Sequence, residues 1–168
     1  RRSIAVPIAI TAGVAAALAL GFLLGRQTGA KPPPTFHQLT FRRGTIGSAR
    51  FGPDGQTILY SAAWEGKPLE PFVARSEAPE SRPFGILGAE VLGLSRTGEI
   101  ALALGSRPAF PFTQAGTLAR ATLAGGSAPR EVLEEVQFAD WSPDGSALAV
   151  VRVVEGKTRL EYQIGKTL

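Results

Sequence analysis

Hydrophobic and polar positions divide the chain into two unlike parts. Residues 4–25, IAVPIAITAGVAAALALGFLLG, contain no charge. At about 1.5 Å per residue this run makes a helix of about 30 Å, the hydrocarbon thickness of a bilayer. Pro7 lies near its start, where a helix tolerates proline best. From Phe36 onward short apolar runs alternate with turn residues, the pattern of strands joined by tight turns.

The second part repeats itself. SARFGPDGQTILYS (48–61) and FADWSPDGSALAVV (138–151) share an aromatic, a Pro-Asp-Gly and a following apolar run. Pro53 and Pro143 pre-set φ for a turn, Asp54 and Asp144 bond the following backbone, and Gly55 and Gly145 accept positive φ. A weaker copy, VLGLSRTGEIALAL (91–104), has Thr97-Gly98 in place of Asp-Gly. Gly55, Gly98 and Gly145 are 43 and 47 residues apart. A period near 45 fits one four-stranded propeller blade. The intervals 71–87 and 116–133 each predict a strand, a polar hairpin and a second strand. RLEYQIGKTL (159–168) begins the same element, and FHQLTF (36–41) reads as the tail of a preceding unit.

The expected fold class is therefore all-β: a partial β-propeller of about three four-stranded blades belonging to a larger ring, preceded by one transmembrane α-helix. Three blades do not close a ring, so further blades are expected after Leu168. Residues 1–3 are juxtamembrane, 4–25 the transmembrane helix, 26–35 (RQTGAKPPPT) a proline-rich stalk and 36–168 the incomplete propeller. A buried soluble helix and a signal peptide are the alternatives for 4–25. Uncharged runs of that length are uncommon in globular cores, and no small-x-small cleavage site follows Gly25. Gly21 and Gly25 form a G-x-x-x-G spacing that lets two helices approach closely. It suggests a homodimer through the membrane helix; a chance match in an Ala/Gly-rich span is the plainer reading.

Composition narrows the function. The net charge of +4 looks like a nucleic-acid signal, but Arg1, Arg2 and Arg26 flank the apolar run, and without them 15 basic residues face 14 acidic ones. No basic stripe stands out, so no nucleic-acid partner is expected. There is no cysteine, which excludes disulfides and thiolate chemistry, and no methionine, even at position 1. The chain is accordingly read as a segment of a longer or processed protein.

The two Pro-Asp-Gly copies resemble the TolB-type (WD-like) propeller repeat, an aromatic, Ser-Pro-Asp-Gly and an alternating strand. Gly52 replaces the serine in the first copy, and the middle copy lacks Pro and Asp. The order of apolar span, proline stalk, FHQLTFRRGTIGSARFGPDGQTILYSAAWEGKPLE, ESRPFGILGAEVLGLSRTGEIAL, GTLARATLAGGSAPREVLEEVQFADWSPDG and RLEYQIGKTL resembles the membrane and extracytoplasmic part of bacterial eukaryotic-like serine/threonine protein kinases. The resemblance implies a cytoplasmic kinase domain ahead of the span, and a periplasmic propeller acting as sensor for an unknown protein or small-molecule ligand. Membrane-anchored winged-helix transcription regulators carry similar propellers, and an anchored TolB-like scaffold without a kinase is a third reading. No kinase motif lies in these residues. No cofactor is expected here; ATP and Mg belong only to an upstream kinase domain.

Candidate sites are few. No catalytic or metal site is expected. His37 is the one histidine and reads as structural, near a strand. Asp54 and Asp144 read as turn caps, Glu134 and Glu135 as solvated, and Asp140-Trp141 is not the Trp-Asp of true WD repeats. No Gly-x-Ser-x-Gly occurs. GSRPAFPFTQAG (105–116) interrupts the middle unit and reads as a loop, with Arg107, Phe110 and Phe112 as a candidate partner contact. An ordinary loop packing its aromatics on the blade is the alternative.

Overall fold

The computed structural model describes residues 5–29, 33–36 and 38–168, and the side chains of 13–25, 33–36, 38–78 and 80–168. The chain divides into two units, Arg1–His37 and Gln38–Leu168. His37 lies outside the described residues.

The first unit holds helix α1 (Ala5–Gly29). It runs past the expected boundary at residue 25, because Arg26, Gln27 and Thr28 do not break a helix. The expected stalk is therefore helical as far as Gly29. Residues 33–36 have no regular structure. Among the described residues no helix is long and apolar enough to cross a membrane. A Cβ added at Gly21 or Gly25 would meet nothing within 4 Å.

The second unit is antiparallel β structure. Strands β1 (Gly44–Phe51), β2 (Thr57–Trp64), β3 (Glu70–Arg75) and β4 (Ala78–Pro83) form a four-stranded meander. A six-stranded sheet follows, from β5 (Ala89–Leu94), β6 (Glu99–Phe110), β7 (Thr113–Thr122), β8 (Arg130–Trp141), β9 (Leu148–Val154) and β10 (Lys157–Tyr162), again in chain order.

β8 belongs to two meanders at once. It pairs with β7 through Arg130, Glu131, Leu133 and Val136, and with β9 from Val136 to Trp141, so Val136 is paired on both sides. Glu135, at φ 62°, directly precedes that shared residue. This turns the expected third unit into three strands, the first of which is the end of β8. The expected strand at 36–41 is not formed by the described residues 38–41. Leu39 instead packs on the apolar cluster of β2 and β3. There Tyr60 and Phe72 stack at 5.5 Å, and Trp64 stands edge-on to both.

The core lies between sheets. Leu59 of β2 is buried with Val91, Ile100, Leu102 and Ala121 of the second sheet. The opposite face of β6, Ala101 and Ala103, packs with Leu118, Val136, Leu148 and Val150. β6 is therefore apolar on both faces, which is why its start reads as a continuous run (EIALAL) rather than an alternating one. Polar side chains tie the sheets as well. The buried Ser61 hydroxyl accepts the Val91 N–H at 2.7 Å, and the Ser48 hydroxyl donates to the Val91 carbonyl at 2.7 Å. Without Ser61 that buried N–H would lose its partner, at a cost of about 1–3 kcal/mol.

The repeated turns are built alike. Gly55, Gly98 and Gly145 have φ of 67°, 82° and 75°. Each donates its N–H to a carbonyl three residues back, on Gly52, Ser95 and Ser142. Asp54 Oδ1 accepts the N–H groups of Gln56 (3.0 Å) and Thr57 (2.8 Å), and its other oxygen accepts the Thr57 hydroxyl. Asp144 accepts both the Ser142 and Ser146 hydroxyls and the Ser146 N–H. In the middle copy Ser95 takes over, its hydroxyl accepting the Glu99 N–H at 2.8 Å and sharing a bond with Thr97.

These bonds set the acid behaviour of the turns. The Thr57 backbone N–H, with the Thr57 hydroxyl and Gln56 N–H, holds the Asp54 carboxyl at about 2. The Ser142 hydroxyl, with Ser146, does the same for Asp144, also at about 2. A carboxyl that binds its proton less tightly folded than unfolded stabilises the fold fully above its unfolded pKa, near 4. That contribution disappears as pH falls through about 2. The stability difference between pH 7 and pH 2 is therefore expected to shrink in Asp54→Asn and Asp144→Asn, and further in the double variant. Urea unfolding of the chain in detergent at the two pH values measures it. An unchanged difference in the double variant would show that the caps do not set it.

Candidate ligand-binding cavity

Strands β1, β5 and β8 carry the same irregularity. In β1, Ile46 and Ser48 pair with the adjacent residues Ala62 and Ser61, so Gly47 is an extra residue. In β5, Val91 and Gly93 face Leu102 and Ala101, which leaves Leu92 extra. In β8, Val136 and Phe138 face Arg152 and Val151, which leaves Gln137 extra. Residues 47, 92 and 137 are 45 apart, the period expected from the turns. A bulge bends its strand and re-aims side chains, and bulges are over-represented beside functional sites.

All three bulges line one cavity of about 600 Å³, together with the turn between β6 and β7. β5 packs between β1 and β8. The approach is close: a Cβ on Gly93 would lie 3.1 Å from the Ala139 carbonyl oxygen. From β1, Arg50 donates to the Leu92 carbonyl at 2.7 Å and to its neighbour Ala49 at 2.8 Å.

Glu90 is the main charge to emerge. It lines the cavity from β5, and a Cβ on Gly47 would come within 3.2 Å of its Oε1, so the carboxylate lies over the bulge glycine. Burial pushes its carboxyl above the usual range, opposed by the charge of Arg50. Among the described residues no cation lies within ion-pair distance of it. Gln137, 7 % exposed, donates to the Thr113 hydroxyl at 3.2 Å.

The expected loop at 105–116 is a hairpin. β6 and β7 continue through it, with Arg107 opposite Ala115, Pro108 opposite Gln114 and Phe110 opposite Thr113. Gly105 and Pro108 are accommodated by register shifts on either side of the Arg107–Pro108 pairs, so they did not end the strand as a sequence pattern suggests, while Pro111 lies in the turn. The three expected contact residues separate. Phe112 sits in the turn at φ 67°, fully exposed, and lines the cavity with Thr113 and Gln114. A bulky residue at positive φ is an outlier, and such strain concentrates at functional sites. Arg107 is ion-paired with Glu135, so Glu135 is engaged rather than simply solvated. Phe110 is partly exposed and does not line the cavity. Asp140 accepts the N–H of Trp141 at 2.9 Å.

Nothing in the local sequence marks Arg50, Glu90 and Gln137, because each is a strand residue with no motif around it. The available signal was the 45-residue spacing applied to strands rather than to turns. Among the described residues no group of three or more His, Asp or Glu is placed to hold a metal.

The two antiparallel sheets and their connections define a TolB-like β-sheet fold. The crystal structure of TolB from Acinetobacter baumannii is similar, with a TM-score of 0.57 and 17% identity over 77% of this chain. The match covers 33% of that protein, so the chain spans about a third of its length. No protein-family model matches the chain, and comparison with curated proteins finds no match.

Proposed function

We propose that this chain is the membrane-anchored binding portion of a receptor-like serine/threonine protein kinase, itself non-catalytic, with the cavity at β1, β5 and β8 as its ligand face. The observation that carries the binding role is the convergence of three equally spaced bulges on one cavity. Residues 4–25 supply the anchor, and the β unit is held outside the cytoplasm. The kinase context rests on the order of span, stalk and repeats in the sequence. A TolB-like anchored scaffold without a kinase is the second reading, favoured by the structural likeness to TolB. The coding sequence upstream of Arg1 separates the two, through kinase motifs or a signal-like start; a winged helix there would instead identify a transcription regulator.

In this reading β1–β4 is one propeller blade, β5 to the first half of β8 a second, and the remaining strands part of a third. Phe138, Leu160 and Tyr162, exposed on β8 and β10, then face the next blade of the ring.

Location is testable because the chain has no cysteine. Gln114→Cys, exposed at the start of β7, is expected to react with a membrane-impermeant maleimide in intact spheroplasts. Labelling that requires permeabilised membranes would place the β unit on the cytoplasmic side and reject the export reading.

A further inference from the structure

We propose that the cavity binds a cationic group, a primary ammonium or guanidinium carried beside an aromatic or apolar moiety, with Glu90 as its counter-ion. The inference rests on the cavity being the binding face. Three observations support the choice of charge. The Glu90 carboxylate is half-buried in the cavity wall, yet among the described residues nothing donates a hydrogen bond to it and no cation pairs with it. The basic residue that shares the cavity wall, Arg50, is turned to the carbonyls of Leu92 and Ala49 and forms no ion pair with Glu90. The glycine at the β1 bulge leaves the space in which the carboxylate lies.

A half-buried, unpaired carboxylate has lost part of its hydration, and a cation that reaches it replaces part of the interaction that water no longer supplies. An anionic ligand would meet the same carboxylate as repulsion. The rest of the wall suits the organic part of such a ligand. Phe112 stands at the rim with its ring exposed, able to cover an apolar group or sit against a cation. Gln137 and Thr113 present an amide and a hydroxyl beside it. A free amine and a basic side chain of a polypeptide share this chemistry.

The full chain in detergent micelles, titrated calorimetrically with three small probes of similar shape, tests the proposal. Phenethylammonium is expected to bind about tenfold more tightly than neutral 2-phenylethanol or anionic 3-phenylpropionate. Glu90→Gln is expected to remove that preference, and Glu90→Asp to keep part of it, with far-UV circular dichroism showing that both variants fold. Acetyl-Phe-Lys-amide distinguishes the two sources: tighter binding than phenethylammonium indicates a polypeptide partner, weaker binding a free amine. Equal binding of the three probes, unchanged preference in Glu90→Gln, or no binding at millimolar concentration overturns the proposal. If Phe112→Ala weakens all probes alike while Glu90→Gln changes nothing, the binding face stands and only its cationic character is rejected. If neither variant alters binding of a probe that does bind, the binding face itself is rejected.

Discussion

Leu59→Ala is expected to destabilise the β unit by about 2–5 kcal/mol, the largest effect of any conservative truncation proposed for this chain. Leu59 is completely buried, and its cluster joins β2 of the first sheet to Val91, Ile100 and Leu102 of the second. Its removal takes apolar contact from both sheets at once and leaves a cavity that the strands cannot close. They are held there by Ser61 and Ser48 on the two backbone groups of Val91. For a domain whose whole stability is of order 5–15 kcal/mol, such a loss is a large fraction. Urea unfolding followed by Trp64 and Trp141 fluorescence measures it. A cost below about 1 kcal/mol would mean that the two sheets do not depend on this contact. Exposed Leu87, 68 % accessible, provides the control, and its alanine variant is expected to stay near wild type.

Gly116→Ala is the second large effect, expected at about 1–3 kcal/mol from overpacking. Gly116 is buried in β7, opposite the start of the bent hairpin that carries Phe112. A Cβ there would lie 2.7 Å from the Leu104 carbonyl oxygen and 2.9 Å from the Ser106 hydroxyl. The first obstacle is backbone of the paired strand, so the hairpin must shift to relieve it. Gly47→Ala is a useful contrast, because the atom in its way, at 3.2 Å, is a carboxylate oxygen at the end of the flexible Glu90 side chain. Thermal unfolding of the two variants should rank Gly116→Ala well below Gly47→Ala. The reverse order would show that the β6–β7 hairpin adapts more easily than a single side chain.

The hairpin also shows where a sequence pattern misleads. Two prolines and a glycine between residues 105 and 111 carry the marks of a loop, yet Arg107, Pro108 and Phe110 pair across to Ala115, Gln114 and Thr113, and only Pro111 falls in the turn. Local propensity lost to the register of a strand pair already anchored at Ile100–Ala121 and Leu102–Ala119. The opposite happened at 38–41, where a stretch suited to a strand forms none, and Leu39 is used for covering the aromatic cluster instead. Glu134 and Glu135 read alike in sequence, but Glu135 sits at the bend of β8 and pairs with Arg107.

By itself the sequence determined the features whose forces act within a few residues. The turns at Gly55, Gly98 and Gly145, the caps by Asp54 and Asp144, the approximate period and the run of β6 all follow from neighbours in the chain. The unequal turn spacing comes from the distance between each bulge and its turn. The middle turn lies six residues after its bulge, from Leu92 to Gly98, whereas the outer two lie eight after theirs, from Gly47 to Gly55 and from Gln137 to Gly145. Tertiary structure decided the rest. A bulge is a difference in count between two paired strands, so Gly47, Leu92 and Gln137 acquire their role only when β2, β6 and β9 lie beside them. Glu90 is an ordinary strand residue until β1 approaches β5 and encloses its carboxylate, because burial and the absence of a counter-ion are properties of the surroundings and not of the residue.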